Sequence, residues 1–106
     1  MKPVYRCLAF VVLLGLVTAT RVFAQGDVEA GRSFAERVCA ECHGVKEGQV
    51  SPDLRAPHFN AIAATPGMTG FALAAALHTT HTNMPNFILT EEERLNVITY
   101  ILSLKP

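Results

Sequence analysis

Two cysteines and a histidine stand close together in the first half of the chain. They form the segment Cys39-Ala40-Glu41-Cys42-His43, a C-x-x-C-H pattern. Two thiols about one helical turn apart can each add to one of the two vinyl groups of a haem, and the adjacent histidine can then ligate the iron. The pattern therefore predicts one haem c, attached by two thioether bonds.

Three other kinds of site use the same residue types. A redox disulfide of thioredoxin type normally lies between a strand and a helix, and the sequence predicts no strand here. Zinc would need Cys39 and Cys42 together with the histidines of His78-Thr79-Thr80-His81, whose spacing is one residue tighter than usual. A structural disulfide would leave His43 without a role. The haem interpretation accounts for both cysteines and the histidine.

A haem iron has two axial positions, so a second ligand is expected elsewhere in the chain. Met84 is the first choice because it stands in the turn Asn83-Met84-Pro85-Asn86. Pro85 restricts the backbone there, and the thioether is free of helical geometry. The other candidates are Met68, His58, His78 and His81. Of these, Met68 ranks next, His81 would replace Met84 if the loop were shifted, and the other two are predicted surface histidines.

Periodic apolar patterns predict helices before and after these candidate ligands. Asp27 is a predicted N-cap for a first helix from about Val28 to Cys42. Thr69 is predicted to cap a second helix. Thr90 and Glu93 form a capping box at the start of a final helix.

The region between the first two long helices is rich in glycine and proline. These residues interrupt periodic structure over residues 44–67, except for one short helical turn at 59–64. No segment alternates as a strand does, so the sequence predicts an all-α domain with three main helices and loops wrapped around the haem. The predicted apolar shell of the haem consists of Phe59, Ile62, Phe71, Leu73, Leu77, Phe87 and Leu95.

The start of the chain has the pattern of a secretory signal peptide. A basic start with Lys2 and Arg6 precedes an apolar stretch of about 14 residues, and small residues lead to a predicted cut after Ala24. The apolar stretch is short of the roughly 20 residues of a spanning helix, which makes an uncleaved membrane anchor the less favoured alternative. We expect residues 1–24 to be a signal peptide, residues 25–106 to be the functional domain, and the location to be periplasmic.

Removal of the leader leaves six basic and nine acidic residues. This mildly acidic chain with two lysines lacks the electrostatic footprint of a nucleic-acid-binding protein. About 82 residues would remain, a size at which a cofactor usually supports a small core.

The residues around the C-x-x-C-H pattern resemble the class I monohaem cytochromes c of the bacterial periplasm and the mitochondrial intermembrane space. The resemblance covers essentially the whole chain after the leader. Its features are, in order, the segment 26–31, eight residues of spacing from Gly31 to Cys39, the haem motif, Met84-Pro85, and Tyr100 in the final helix.

The resemblance implies a role for each matching residue. Cys39 and Cys42 would form the thioethers, His43 would be the proximal ligand and Met84 the distal ligand. Pro57 would accept a hydrogen bond from the His43 ring, which orients the imidazole.

The resemblance also concerns the packing of the helices. Gly31 would let the first and last helices cross closely, beside Tyr100 or Ile101. The family usually has an aromatic residue four positions before the first cysteine, whereas this chain has Ala35 there and Phe34 one residue earlier.

A site closed by histidine and methionine has no open iron position and binds no substrate. We therefore expect a monomeric electron carrier rather than an enzyme, with periplasmic or membrane-bound redox proteins as partners and no small-molecule substrate. Docking would rely on an apolar rim formed by Ala72, Ala74, Ala75 and Ala76. Two alternatives stay open: a haem subunit bound permanently to a periplasmic dehydrogenase or oxidase, and, less favoured, a peroxidase or gas-binding haem protein.

Overall fold

The computed structural model describes residues 25–79 and 83–106, and all regular structure in these two ranges is helical. The helices, in chain order, are α1 (Val28–Val38), α2 (Phe59–Ala64), α3 (Gly70–His78) and α4 (Glu91–Ser103). The prediction of an all-α domain with three long helices and one short turn is confirmed. The predicted signal peptide and His81 lie outside the described residues.

The predicted helix caps are confirmed. The Asp27 carboxylate accepts from the backbone N–H of Ala30 at 2.8 Å and so begins α1. The Thr69 hydroxyl caps α3 in the same manner. At the start of α4, Thr90 and Glu93 bond reciprocally as a capping box, which satisfies two backbone donors that the helix leaves without partners.

The first helix is shorter than predicted: α1 ends at Val38 and not at Cys42. The backbone N–H of Cys42 donates to the carbonyl of Cys39, three residues back, where an α-helix would bond four residues back. The N–H of His43 also donates to the Cys39 carbonyl, at 2.9 Å. Residues 39–43 are therefore a compact turn attached to the end of α1.

The last helix, α4, is the centre of the packing and contacts α1, α2 and α3. Its buried residues include Val97, Tyr100 and Ile101. At the crossing with α1, a Cβ atom on Gly31 would overlap the backbone carbonyl of Asn96 and lie 2.9 Å from the Cβ of Tyr100. This close approach is the one predicted for Gly31.

None of the described helices combines the length and the apolar character that a membrane crossing requires.

Candidate functional site

A cavity of about 600 Å³ lies between the turn after α1, the loop that precedes α2, helix α3 and the segment 83–89. Apolar side chains make up most of its wall, and α4 contributes Val97 and Ile101 to it. The cavity is therefore a space inside the fold, bounded by segments that are distant in sequence.

The structure brings most of the predicted site residues to this one cavity. Its wall contains Cys39, Cys42, His43, Pro57 and Met84, together with the alternative candidate Met68. His58 lies instead at a separate cavity of about 350 Å³ beside the C-terminus, and His78 lines neither.

His43 is held by a hydrogen bond and by a ring contact. Its Nδ1 lies 2.7 Å from the carbonyl oxygen of Pro57, and since a carbonyl only accepts, Nδ1 carries the proton. The Phe59 ring lies against the imidazole, with 5.6 Å between the ring centroids. In this tautomer Nε2 keeps its lone pair, so it is the ring nitrogen that could bind a metal.

Cys39 and Cys42 are both free and half-buried. Burial raises the pKa of the Cys39 thiol to about 11, so this thiol is protonated at neutral pH. A redox-active C-x-x-C pair has a thiol whose pKa is lowered instead. The described residues also contain no strand next to the pair, which is the setting that a thioredoxin-type site requires.

Met84 is placed by an unusual backbone turn. Asn83, directly before it, has φ of 67°, a left-handed conformation that asparagine tolerates better than most residues. Pro85 follows and restricts the next φ. The turn presents the half-buried Met84 to the cavity, and Phe87 and Leu89 continue the same wall.

Of the seven residues of the predicted apolar shell, five line the cavity and two do not. Phe71 is 87% exposed, and Leu95 does not contribute to the cavity wall. Helix α3 turns Leu73 and Leu77 inward, and a residue two positions before Leu73 points to the opposite side of a helix. The five that line the cavity are Phe59, Ile62, Leu73, Leu77 and Phe87.

Phe34 contributes to the cavity wall and was not in the predicted shell. Phe34 and its neighbour Ala35 are both buried in α1, but of the two only Phe34 lines the cavity. Phe34 therefore supplies an aromatic side chain near the first cysteine although the family position itself holds Ala35. The signal in the sequence that could have identified Phe34 is its place, one residue before the position that is usually aromatic in the family.

A charged pair at the cavity was also not predicted. The Arg55 guanidinium donates to the Asp53 carboxylate at 2.9 Å, and both residues line the cavity. These hydrogen bonds lower the pKa of Asp53 to about 2. Two opposite charges two residues apart in a loop are common on protein surfaces, so the pattern alone did not distinguish a cavity wall.

The donor set and the lining suit the haem that the C-x-x-C-H pattern predicts. Two thiols lie beside an imidazole whose Nδ1 is already bonded, and a thioether lies elsewhere on the same wall. Haem iron takes nitrogen and sulfur ligands of these types, and the apolar wall suits a porphyrin.

Comparison with known proteins agrees with this chemistry. The family model for cytochrome c matches residues 28–105. Cytochrome c-552 of Bradyrhizobium diazoefficiens is 32% identical over 94 residues, which cover 89% of this chain and 90% of the relative. No solved structure matches the chain. With one covalently attached haem c and its iron, the protein is an electron carrier and belongs to the cytochrome c family.

Proposed function

We propose that the protein shuttles single electrons in the periplasm through a haem c ligated by histidine and methionine. Cys39 and Cys42 would form the thioether bonds to the porphyrin. His43 would ligate one face of the iron and Met84 the other. When bound, the haem supplies one-electron redox chemistry at its iron.

The bond between His43 Nδ1 and the Pro57 carbonyl is the observation that carries the proposal. At 2.7 Å it selects one tautomer and one ring orientation, and it leaves Nε2 for the metal. A carbonyl partner on the second nitrogen also increases the donor strength of a ligating imidazole. The backbone of Pro57 thus prepares His43 for the role of axial ligand.

The turn around Met84 supports the role of this methionine as the second axial ligand. The left-handed Asn83 and the restricted Pro85 hold the methionine without a helix, and the side chain lines the same cavity as His43. Two protein ligands leave no iron position for a substrate, and a soft thioether favours reduced iron, which raises the reduction potential.

The surface of α3 supports docking through apolar contact. The predicted rim of four alanines is only partly outward, because Ala75 is exposed but the other three are half-buried. Phe71, four residues before Ala75 and on the same side of the helix, is 87% exposed. We therefore place the apolar docking contact on Phe71 and Ala75.

The leader supports the periplasmic location. A basic start, an apolar middle and a cut after Ala24 would export the chain and release a domain that begins at Gln25. The mass of the purified protein tests this step. We expect the mass of residues 25–106 with the haem, whereas a protein that retains residues 1–24 would indicate a membrane anchor.

An absorption spectrum of the protein, expressed with haem-attachment machinery, tests the ligand set. We expect pigment that stays with the polypeptide after acid-acetone extraction, and a methionine-to-iron charge-transfer band in the oxidised form. The Met84→Ala variant should lose this band, whereas Met68→Ala should keep it. Pigment that is extracted, or a band lost only in Met68→Ala, would contradict the proposal. Carbon monoxide binding to the reduced wild type at neutral pH would favour an open iron site.

A further inference from the structure

Tyr100 carries a buried hydroxyl that the proposed function does not use. Its side chain is 5% exposed, and its hydroxyl donates a 2.7 Å hydrogen bond to the carbonyl of Val45, two residues after His43. We propose that Tyr100 is a positioning residue for the His43 imidazole, which holds the backbone after His43 and so maintains the bond between His43 and Pro57. This inference rests on the proposed function, in which His43 ligates the iron.

The backbone after His43 is held on several sides. The N–H of Gly44 donates to the hydroxyl of the buried Ser51 at 3.0 Å, and the carbonyl of Gly44 accepts from the N–H of Phe59 at 2.8 Å. The first bond comes from the loop that also carries Pro57, and the second comes from the start of α2 directly after that loop. The bond from Tyr100 to Val45 attaches the same short stretch to α4.

A second route from Tyr100 to His43 runs through aromatic rings. The Phe59 ring lies 6.4 Å from the Tyr100 ring and 5.6 Å from the His43 ring, measured between centroids. Both separations are within the range of favourable tilted aromatic pairs. Tyr100 is therefore connected to the surroundings of the imidazole in two ways, by its hydrogen bond to Val45 and by its packing against Phe59.

Tyr100 is itself held firmly. Its Cβ lies at the close crossing of α1 and α4, against Gly31. A tyrosine hydroxyl is protonated at neutral pH, and burial raises the pKa of this phenol further, so it remains a donor. An anchored donor on α4 can therefore restrain the backbone that follows His43.

Loss of the Tyr100 hydroxyl would leave the Val45 carbonyl buried without this partner. The stretch after His43 would then open more often, and the bond between His43 Nδ1 and Pro57 would weaken. A less strongly bonded imidazole donates less charge to the iron, which disfavours the oxidised state. We therefore expect the reduction potential of Tyr100→Phe to rise.

The experiment compares Tyr100→Phe with Thr99→Val in the haem-loaded protein. Thr99 is the neighbouring residue on α4, and its hydroxyl donates to the Leu95 carbonyl at 2.8 Å, within the same helix. Both variants lose one hydroxyl hydrogen bond from α4, but only the first loses one that leads to His43. The measurements are the reduction potential and, by NMR of the reduced protein, the hydrogen-exchange rate of the His43 Nδ1–H.

In Tyr100→Phe we expect a higher potential and exchange of the Nδ1–H about tenfold faster, which corresponds to about 1.4 kcal/mol. Thr99→Val should leave both measurements close to wild type, although its free energy of unfolding falls. A potential and an exchange rate unchanged in Tyr100→Phe, or changed equally in both variants, would overturn the inference. The charge-transfer band of the wild type tests the ligand set separately, so the two failures are distinguishable.

Ser51→Ala provides a second variant if Tyr100→Phe yields too little folded protein. It removes the acceptor of the Gly44 N–H and thus loosens the same stretch from the side of the loop. The inference expects the same direction in both measurements, and a wild-type exchange rate in Ser51→Ala would contradict it.

Discussion

At the scale of single residues, the site depends on backbone groups as much as on side chains. The partner of the His43 ring is a carbonyl of Pro57, and the partner of the Tyr100 hydroxyl is a carbonyl of Val45. Among residues 25–79 and 83–106, every fully buried side-chain nitrogen or oxygen has a hydrogen-bond partner. The buried polar side chains around His43 are therefore satisfied, which favours a single arrangement of this region.

The ion pair between Asp53 and Arg55 should make the stability of the folded protein depend on pH. The pKa of Asp53 is about 2 in the folded protein against an ordinary value of 3.8. A lowered folded pKa contributes stability above the unfolded value, and this contribution is lost as pH falls from about 4 to about 2. Arg55→Gln should therefore melt slightly below wild type at pH 5, and the two curves should converge near pH 2.

Thermal melts followed by circular dichroism between pH 5 and pH 2 provide the measurement. The difference should be small because the pair is exposed and screened by solvent. Arg37→Gln is the control, since the Arg37 guanidinium donates to the Ser33 carbonyl and forms no ion pair within the described ranges. A gap between Arg55→Gln and wild type that widened toward pH 2 would contradict the assignment.

At the scale of helices, the crossing of α1 and α4 fixes the turn that contains Cys39 relative to the part of the cavity wall that α4 supplies. Helix α1 leads directly into the turn with Cys39, and α4 carries Tyr100 and part of the cavity wall. The backbones approach so closely at Gly31 that no side chain fits between them. A shift at this crossing would move the turn of residues 39–43 relative to the residues that restrain His43.

Gly31→Ala should lower the free energy of unfolding by about 1–3 kcal/mol, because its methyl group would overlap the Asn96 carbonyl. Gly70→Ala is the matched control. A Cβ there would meet the side chains of Ile98 and Leu102 at 3.5 and 3.7 Å, which are ordinary contacts. Urea unfolding of both haem-loaded variants measures the difference, and equal stabilities would show that the crossing can relax without cost.

At the scale of the whole molecule, a cavity shares its lining with the hydrophobic core. The described buried core is small, and a cavity of about 600 Å³ lies within it. A domain of this size has little apolar surface to bury without help from a cofactor.

The double variant Cys39→Ala, Cys42→Ala should therefore fail to unfold cooperatively, because the haem that we propose to fill the cavity would not be attached. Circular dichroism during a urea titration measures this, and a broad, featureless change is the expected result. Met84→Ala is the control, since it keeps Cys39 and Cys42 and should retain a sigmoidal transition. A sharp transition in the colourless double variant would show that the chain folds without the cofactor.

Docking is also a property of the whole surface. The chain after the predicted leader has two lysines, Lys46 and Lys105, and Lys46 lies 3.7 Å from the Glu36 carboxylate. We expect electron transfer to membranes of the source organism to change little with ionic strength, because few lysines are available to attract a partner over a long range. Phe71→Ser should slow this transfer, whereas Val50→Ser, at a position 74% exposed, should not. A steep fall in rate with added salt would contradict an apolar contact.

Local patterns were sufficient for the helices, their caps and the attachment motif. A cap such as Thr90 with Glu93, or a pair such as Cys39 and Cys42, involves residues within about one helical turn, so the interacting atoms are close in sequence. The end of α1 was wrong by four residues, since the turn that contains the cysteines keeps partly helical hydrogen bonds and resembles a helix in its sequence pattern.

The environment of His43 depends on contacts between distant segments. Pro57 was predicted only through the family resemblance, and the bond between Tyr100 and Val45 joins residues 55 positions apart. The orientation of α3, which turns Phe71 outward, follows from its packing on α4 and has no signal in the composition of α3. Residue types and short spacings thus identify the chemistry, because covalent attachment is local. The burial, tautomer and restraint of His43 arise from packing, because they require surfaces that meet only in the folded chain.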